Sequence, residues 1–281
     1  MTAPIPIRPP TDGPRWPAGF RSALAIMVDA QGPQTDIASR YATTGLTRLL
    51  TIFADLGIRS TVIWTADSAL AQPGLLQETR SQGHGTALTV HDISDPRQLG
   101  AALNDLAARM TGPAPGIVLP DISGPAASRI NVLAATLADA GFAWVADTAL
   151  GLDVPVRTMT AGQAVVRVPL PPRPSDMGLD TDLVSDQLVV NWRDDLDVLR
   201  DEGGIQVLRL SAWRSGRPGT SRGITRFFDY AVELGDVWMA RVDEIAGWWD
   251  QRERTAIPFA ANGERVPDGA ESSDRDNPED R

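Results

Sequence analysis

Asp29 closes the apolar run SALAIMV (Ser22 to Val28), and His91 with Asp92 closes the run HGTALTVHD. A carboxylate and an imidazole at the ends of two strands are donors for a divalent cation. They can equally act as a base held in place by a neighbouring acid. The chain has two histidines, His84 and His91, and no cysteine. Disulfides, thiolate metal sites and cysteine nucleophiles are therefore excluded. Strand side chains alternate with period two, so His91 shares a face with Thr89 and could reach the pocket that Thr89 faces. Two readings stand. Asp29, His91 and Asp92 form a cluster that binds a weak cation or acts as a base. Alternatively, Asp29 caps the loop after its strand and His91 is an exposed loop histidine. His84 is read as a structural hydrogen-bonding residue in a turn. Trp64 and Trp213 lie near strand ends, where they line a pocket or pack a rim. Arg217, in the turn SGRPG, shapes that turn or holds an anionic ligand. Asp194 to Asp197 (DDLD) reads as an acidic first helical turn. No P-loop, GxGxxG motif or zinc-finger spacing is present.

These residues need a frame. Between Gly45 and Asp92 the sequence reads helix, strand, helix, strand. Leu46, Leu49, Leu50, Phe53 and Ala54 have helical apolar spacing, and Gly57 ends the run. IRSTVIWT (Ile58 to Thr65) is a buried strand. Pro73 opens a short helix that Gly83 closes. Such alternation gives parallel strands in one sheet, and chemistry then sits at their C-terminal ends. Further on, the sequence predicts helices over Gln98 to Met110, Ala126 to Gly141, Asp194 to Glu202 and Ile224 to Glu233, and a last one in VDEIAGWWDQR. It predicts strands in GIVLP, FAWVADTA, VVRVP, IQVLRLSAW and VWMAR.

The 281 residues suffice for one large domain, and 42% of them are apolar. The net charge of −10 argues against nucleic acid or an anionic membrane as partner. The N-terminus lacks the apolar core of a secretory signal, and no run is long and apolar enough to span a bilayer. The expectation is a soluble cytoplasmic protein. It has a flexible Pro-rich arm at 1–15, one folded domain at 16–255 and a disordered acidic tail at 256–281.

The stretch LTRLLTIFADLGIRSTVIWTADSALAQPGLLQETRSQGHGTALTVHD resembles the heart of the polysaccharide deacetylase (NodB-homology) family. The likeness continues through LAATLADAGFAWVADTALGLDVP and SGRPG to VWMAR, from about Trp16 to Trp249. The opening WPAGFRSALAIMVDAQGP and Asp176-Met177 resemble the allantoinase-like branch. The resemblance implies an α/β fold, an irregular (β/α)7-type barrel in a single domain. It also implies hydrolysis of non-peptide amide C–N bonds with a metal held by one Asp and two His, an Asp base, an Arg and a His acid. Carried onto this chain, Met27 stands at the base and Asp29 at the metal Asp; in a second register Ala30 and Gln31 take the two Asp positions. Thr89 and Ile93 stand at the metal histidines, with His91 between them. Val118 or Leu119 precedes Pro120 where the Arg is expected. Leu210-Ser211-Ala212 replaces the segment with the acid His, with Trp213 following. Catalytic positions are therefore degraded at Met27, Leu119 and Ser211.

The expected function is a non-catalytic ligand-binding or regulatory pseudoenzyme. The alternative is an active C–N hydrolase rebuilt around Asp29 and His91, with Asp176. The pocket candidates are Asp29, Thr89, His91, Asp92, Asp176, Trp213 and Arg217. No cofactor is expected unless Asp29 and His91 form a rebuilt zinc site. The expected partners are a sugar or amide small molecule, an active paralogue and further copies of the chain.

Overall fold

The structure, a computed structural model, describes residues 15–32, 36–89, 116–119, 136–148, 150–160, 163–176 and 185–256. Its strands are β1 (Ser22–Asp29), β2 (Thr61–Trp64), β3 (Gly85–Thr89), β4 (Gly116–Leu119), β5 (Trp144–Asp147), β6 (Val156–Thr160), β7 (Gln163–Pro169), β8 (Ile205–Ser211) and β9 (Val237–Met239). Its helices are α1 (Asp36–Asp55), α2 (Ala66–Ala71), α3 (Pro73–Ser81), α4 (Ser185–Glu202), α5 (Ala212–Ser215), α6 (Pro218–Leu234) and α7 (Val242–Ala256). The strands form one sheet in the order β6-β7-β5-β4-β3-β2-β1-β8, with β9 beside the start of β1. Every described pairing is parallel except the β6–β7 hairpin.

The sheet curls into an irregular barrel whose last gap is closed by loops rather than by strand pairing. β8 has β1 on one side only. On its other edge Ile205 N–H donates to the Asp153 carbonyl (2.8 Å), and Ser175 N–H donates to the Arg209 carbonyl (2.6 Å). These bonds satisfy backbone groups that an open edge would leave bare.

Both faces of the strands are apolar, as a helix-covered parallel sheet requires. Leu24, Ile26, Val28, Val62, Leu88, Ile117 and Leu208 face outward, into one cluster that also takes in Leu46, Leu50 and Phe53 of α1 and Phe227 and Phe228 of α6. Ala23, Ala25, Met27, Ala87 and Ala146 face inward. The small inward side chains leave room for a plug at the foot of the barrel. Trp16 and the α7 residues Ile245, Ala246 and Trp249 fill it, with the Trp16 and Trp249 rings 5.5 Å apart. Trp16 Nε1–H donates to the Gly203 carbonyl at 3.0 Å, so its polar end is satisfied too.

Two close approaches demand glycine. A Cβ on Gly116 would lie 1.9 Å from the Trp144 ring. Gly45 of α1 crosses Gly216 so tightly that a Cβ on Gly216 would sit 2.2 Å from the Gly45 Cα.

The expected single-domain (β/α)7-type barrel is the observed one, with differences of detail: α2 (Ala66–Ala71) is an unexpected helix, and the strand expected over IQVLRLSAW ends at Ser211, with Ala212 and Trp213 opening α5. β6 (VRTMT) holds only two apolar residues, Val156 and Met159, on a half-buried edge, so no apolar run marks it. α4 begins at Ser185, which places Asp194 to Asp197 in mid-helix rather than in a first turn. Leu188, Val189, Trp192 and Leu196 supply its buried face, and the acid quartet only imitates a start signal. Pro218 at the first position of α6 turns the end of SGRPG into helix. The helix expected over Gln98 to Met110, the arm at 1–14 and the tail from 257 lie outside the described residues. Among the described residues no helix is long and apolar enough to cross a membrane.

Candidate functional site

The C-terminal ends of β1 and β8 lie side by side, with Met27 opposite Arg209 and Asp29 opposite Ser211. Asp29 and Arg209 both point inward, on the parity of Met27 and Val207. They meet in a two-pronged ion pair. Arg209 Nε donates to Asp29 Oδ2 at 2.9 Å, and Nη2 donates to Oδ1 at 3.1 Å. The side chains are 17% and 10% exposed. Planar guanidinium on planar carboxylate is the strongest form of this contact, and it uses both carboxylate oxygens. Arg209 is itself fixed, because its backbone N–H donates to Ser175 Oγ at 3.1 Å.

Asp176 reaches β8 from the free edge. Its buried carboxylate accepts from Ser211 N–H (2.6 Å), Ser211 Oγ (3.0 Å) and Ser215 Oγ (2.7 Å). Burial pushes its pKa up, while the three donors and the charge of Arg214 work against that rise. Asp176 thus staples the loop at 170–176 to the junction of β8 and α5. Ser211, at the position of the acid His, serves the same staple.

The other positions disperse. Met27 is fully buried on the inner face. Thr89 turns its hydroxyl to the Val118 carbonyl at 3.1 Å. Leu119 is fully buried on the outer, helix-facing side, so its side chain points away from the barrel interior. Trp213 is half-buried, with the guanidinium carbons of Arg214 and Arg217 4.6 and 5.4 Å from its ring. Arg48 donates to the Gly216 carbonyl and holds α1 to this turn. His91, Asp92 and Met177 lie outside the described residues. His84 sits at the opposite end of β3 from this mouth, where its Nδ1 accepts from Ser60 N–H at 3.0 Å.

Sequence reading missed Arg209. The signal was one charged residue inside IQVLRLS, a strand otherwise free of charge. It also missed a second two-pronged pair, in which Arg167 Nε and Nη2 donate to the two oxygens of Asp147 at 2.9 Å each.

The described residues of this mouth do not by themselves assemble a catalytic metal site. Among the described residues no group of three His, Asp or Glu side chains could hold one. The Asp29 carboxylate, the position matched to the metal Asp, is already bound to a fixed cation. A divalent ion there would have to displace two charge-assisted bonds and then sit beside a guanidinium.

The architecture is that of the NodB-homology polysaccharide deacetylase fold, in a form shared with an allantoinase. A Pseudomonas aeruginosa PAO1 protein named a probable polysaccharide deacetylase superposes with TM-score 0.76 at 21% identity, over 90% of this chain and 97% of its own. A Mycobacterium smegmatis protein named likewise gives 0.72 at 20% identity, over 89% and 97%. Puue allantoinase gives 0.72 at 20% identity, over 87% and 95%. No protein-family model matches the sequence, and no curated protein matches it.

Proposed function

We propose that this chain is a non-hydrolysing member of the deacetylase-fold proteins, a binding or regulatory protein whose ligand is a small sugar or amide compound. The observation that carries the reading is the Asp29–Arg209 pair. In a metal hydrolase of this fold the corresponding carboxylate is needed by the cation, and here a protein cation takes that place. The pair offsets the Asp29 charge with a cation of the protein itself. Fold alone does not decide between binding and catalysis, so the weight rests on this pair and on the replacements at Met27 and Ser211.

The reading carries with it a cytoplasmic location and assembly with further copies or an active paralogue. Light scattering of the purified protein and co-purification from its native host test the assembly.

The decisive experiment is zinc content and Zn²⁺ titration on untagged protein, beside Asp29→Asn and His91→Ala. A tag would add imidazoles to a chain that has two histidines. The same samples are assayed on acetamido sugars and ureides. The expected result is no stoichiometric zinc and no amide cleavage above the variants. Stoichiometric zinc lost in both variants, together with zinc-dependent cleavage, would overturn the reading in favour of a site rebuilt around Asp29 and His91.

A further inference from the structure

A cleft of about 660 Å³ lies along the free edge of β8, between α4 on one side and the segments 147–153 and 169–175 on the other. It is separate in chemistry from the Asp29–Arg209 mouth, and nothing in the reading above uses it.

The edge of β8 explains why the cleft exists. Odd residues of this strand direct their backbone groups away from β1. Ile205 N–H is taken by the Asp153 carbonyl, Arg209 N–H by Ser175 Oγ and Ser211 N–H by Asp176 Oδ2. Val207 lies between them, and its edge-facing N–H and carbonyl make no hydrogen bond among the described residues. The loops that seal the barrel part at this residue, and Val207 lines the cleft that results.

Gln206 also lines it. Its Nε2–H donates to the Trp192 carbonyl at 3.1 Å, yet its Oε1 has no partner, and the residue is only 6% exposed. A buried amide oxygen without a donor is costly, and a ligand N–H would relieve it.

The charge of the wall names the ligand. Asp153, Asp195 and Glu202 line the cleft, and no arginine appears among its described lining residues. Asp147, a fourth acid there, is neutralised by Arg167. The rim carries the apolar side chains of Leu152 and Val198, which are 36% and 56% exposed. Acceptors at depth, uncompensated carboxylates and a bare apolar rim suit one kind of guest.

We propose that this seam cleft binds an amphipathic organic amine. Its ammonium N–H groups bond to Gln206 Oε1 and the Val207 carbonyl among the three carboxylates, and its apolar body covers Leu152 and Val198.

Phenethylamine serves as the probe, with 2-phenylethanol as a neutral isostere and 3-phenylpropionate as an anionic one. Binding to the full chain is followed by calorimetry. The amine should bind saturably, about tenfold more tightly than the alcohol, and the carboxylate should not bind. Gln206→Met keeps the volume and removes the acceptor, and should weaken the amine about tenfold. Asp195→Asn with Glu202→Gln alters only surface charge. It should weaken the amine about three- to tenfold and leave the alcohol unchanged, which keeps the test valid should Gln206→Met fail to fold. Equal affinity for amine and alcohol, indifference of the amine to the charge variant, or no saturable binding up to about 10 mM overturns the proposal.

Discussion

Replacing His84 by asparagine should flatten the acid limb of the stability curve. His84 is 5% exposed, and its Nδ1 accepts the Ser60 N–H. A protonated imidazole cannot accept that bond, and it would place a charge near Arg241 and Arg59. Burial first, then those two arginines, push its pKa down to about 4 from the ordinary 6.5. The sign follows from where the proton binds. As pH falls through 6.5 the unfolded chain takes up a proton that the folded chain refuses. Stability is therefore complete above that pH and drains away as pH falls toward 4. Each pH unit in this window is worth about 1.4 kcal/mol. The loss should reach about 2 kcal/mol near pH 5 and roughly 3 kcal/mol below pH 4. Asparagine puts an amide oxygen near the place of Nδ1 and does not titrate. Urea unfolding followed by tryptophan fluorescence, near pH 7 and near pH 5, gives the comparison. The wild type should lose about 2 kcal/mol more than the variant between the two conditions. Carboxylates such as Asp176 titrate in both proteins and cancel in the difference. Parallel losses would refute the reasoning, as would a His84 ring proton in the NMR spectrum titrating near 6.5.

Arg209→Met should cost about 3 kcal/mol in urea unfolding, because the Asp29 carboxylate loses both guanidinium bonds, and adding Asp29→Leu should recover much of that loss. Trp16→Ala should empty the foot of the barrel and cost about 3–5 kcal/mol, read as a lowered thermal midpoint. Gly116→Ala should cost at least about 2 kcal/mol by the same measurement, since its Cβ would overlap the Trp144 ring.

The central helix–strand–helix–strand stretch was legible because its signals are local. Leu46, Leu49, Leu50 and Phe53 mark one helix face, TVIW is apolar throughout, and Pro73 starts its helix. β6 and the start of α4 were not legible, for the opposite reason: a half-exposed edge strand and a mid-helix acid run send misleading local signals. At the site, the place of Asp29 at a strand end could be read from the apolar run before it. Its partner could not. Arg209 lies 180 residues away in sequence, and only the parallel register of β1 on β8 brings the two together. The same holds for Asp176, whose three donors come from residues 35 and 39 positions later.

The order of the strands also governs how the chain can be made. β1 leaves the ribosome well over a hundred residues ahead of its neighbours β8 and β9. Trp16 likewise waits for Trp249. A growing chain can lay β2 beside β1 and add α1 early, yet one edge of β1 and the whole foot of the barrel stay uncovered until α7 is synthesised. Folding must then be completed late and slowly, and a nascent chain halted before β8 is a client for chaperones.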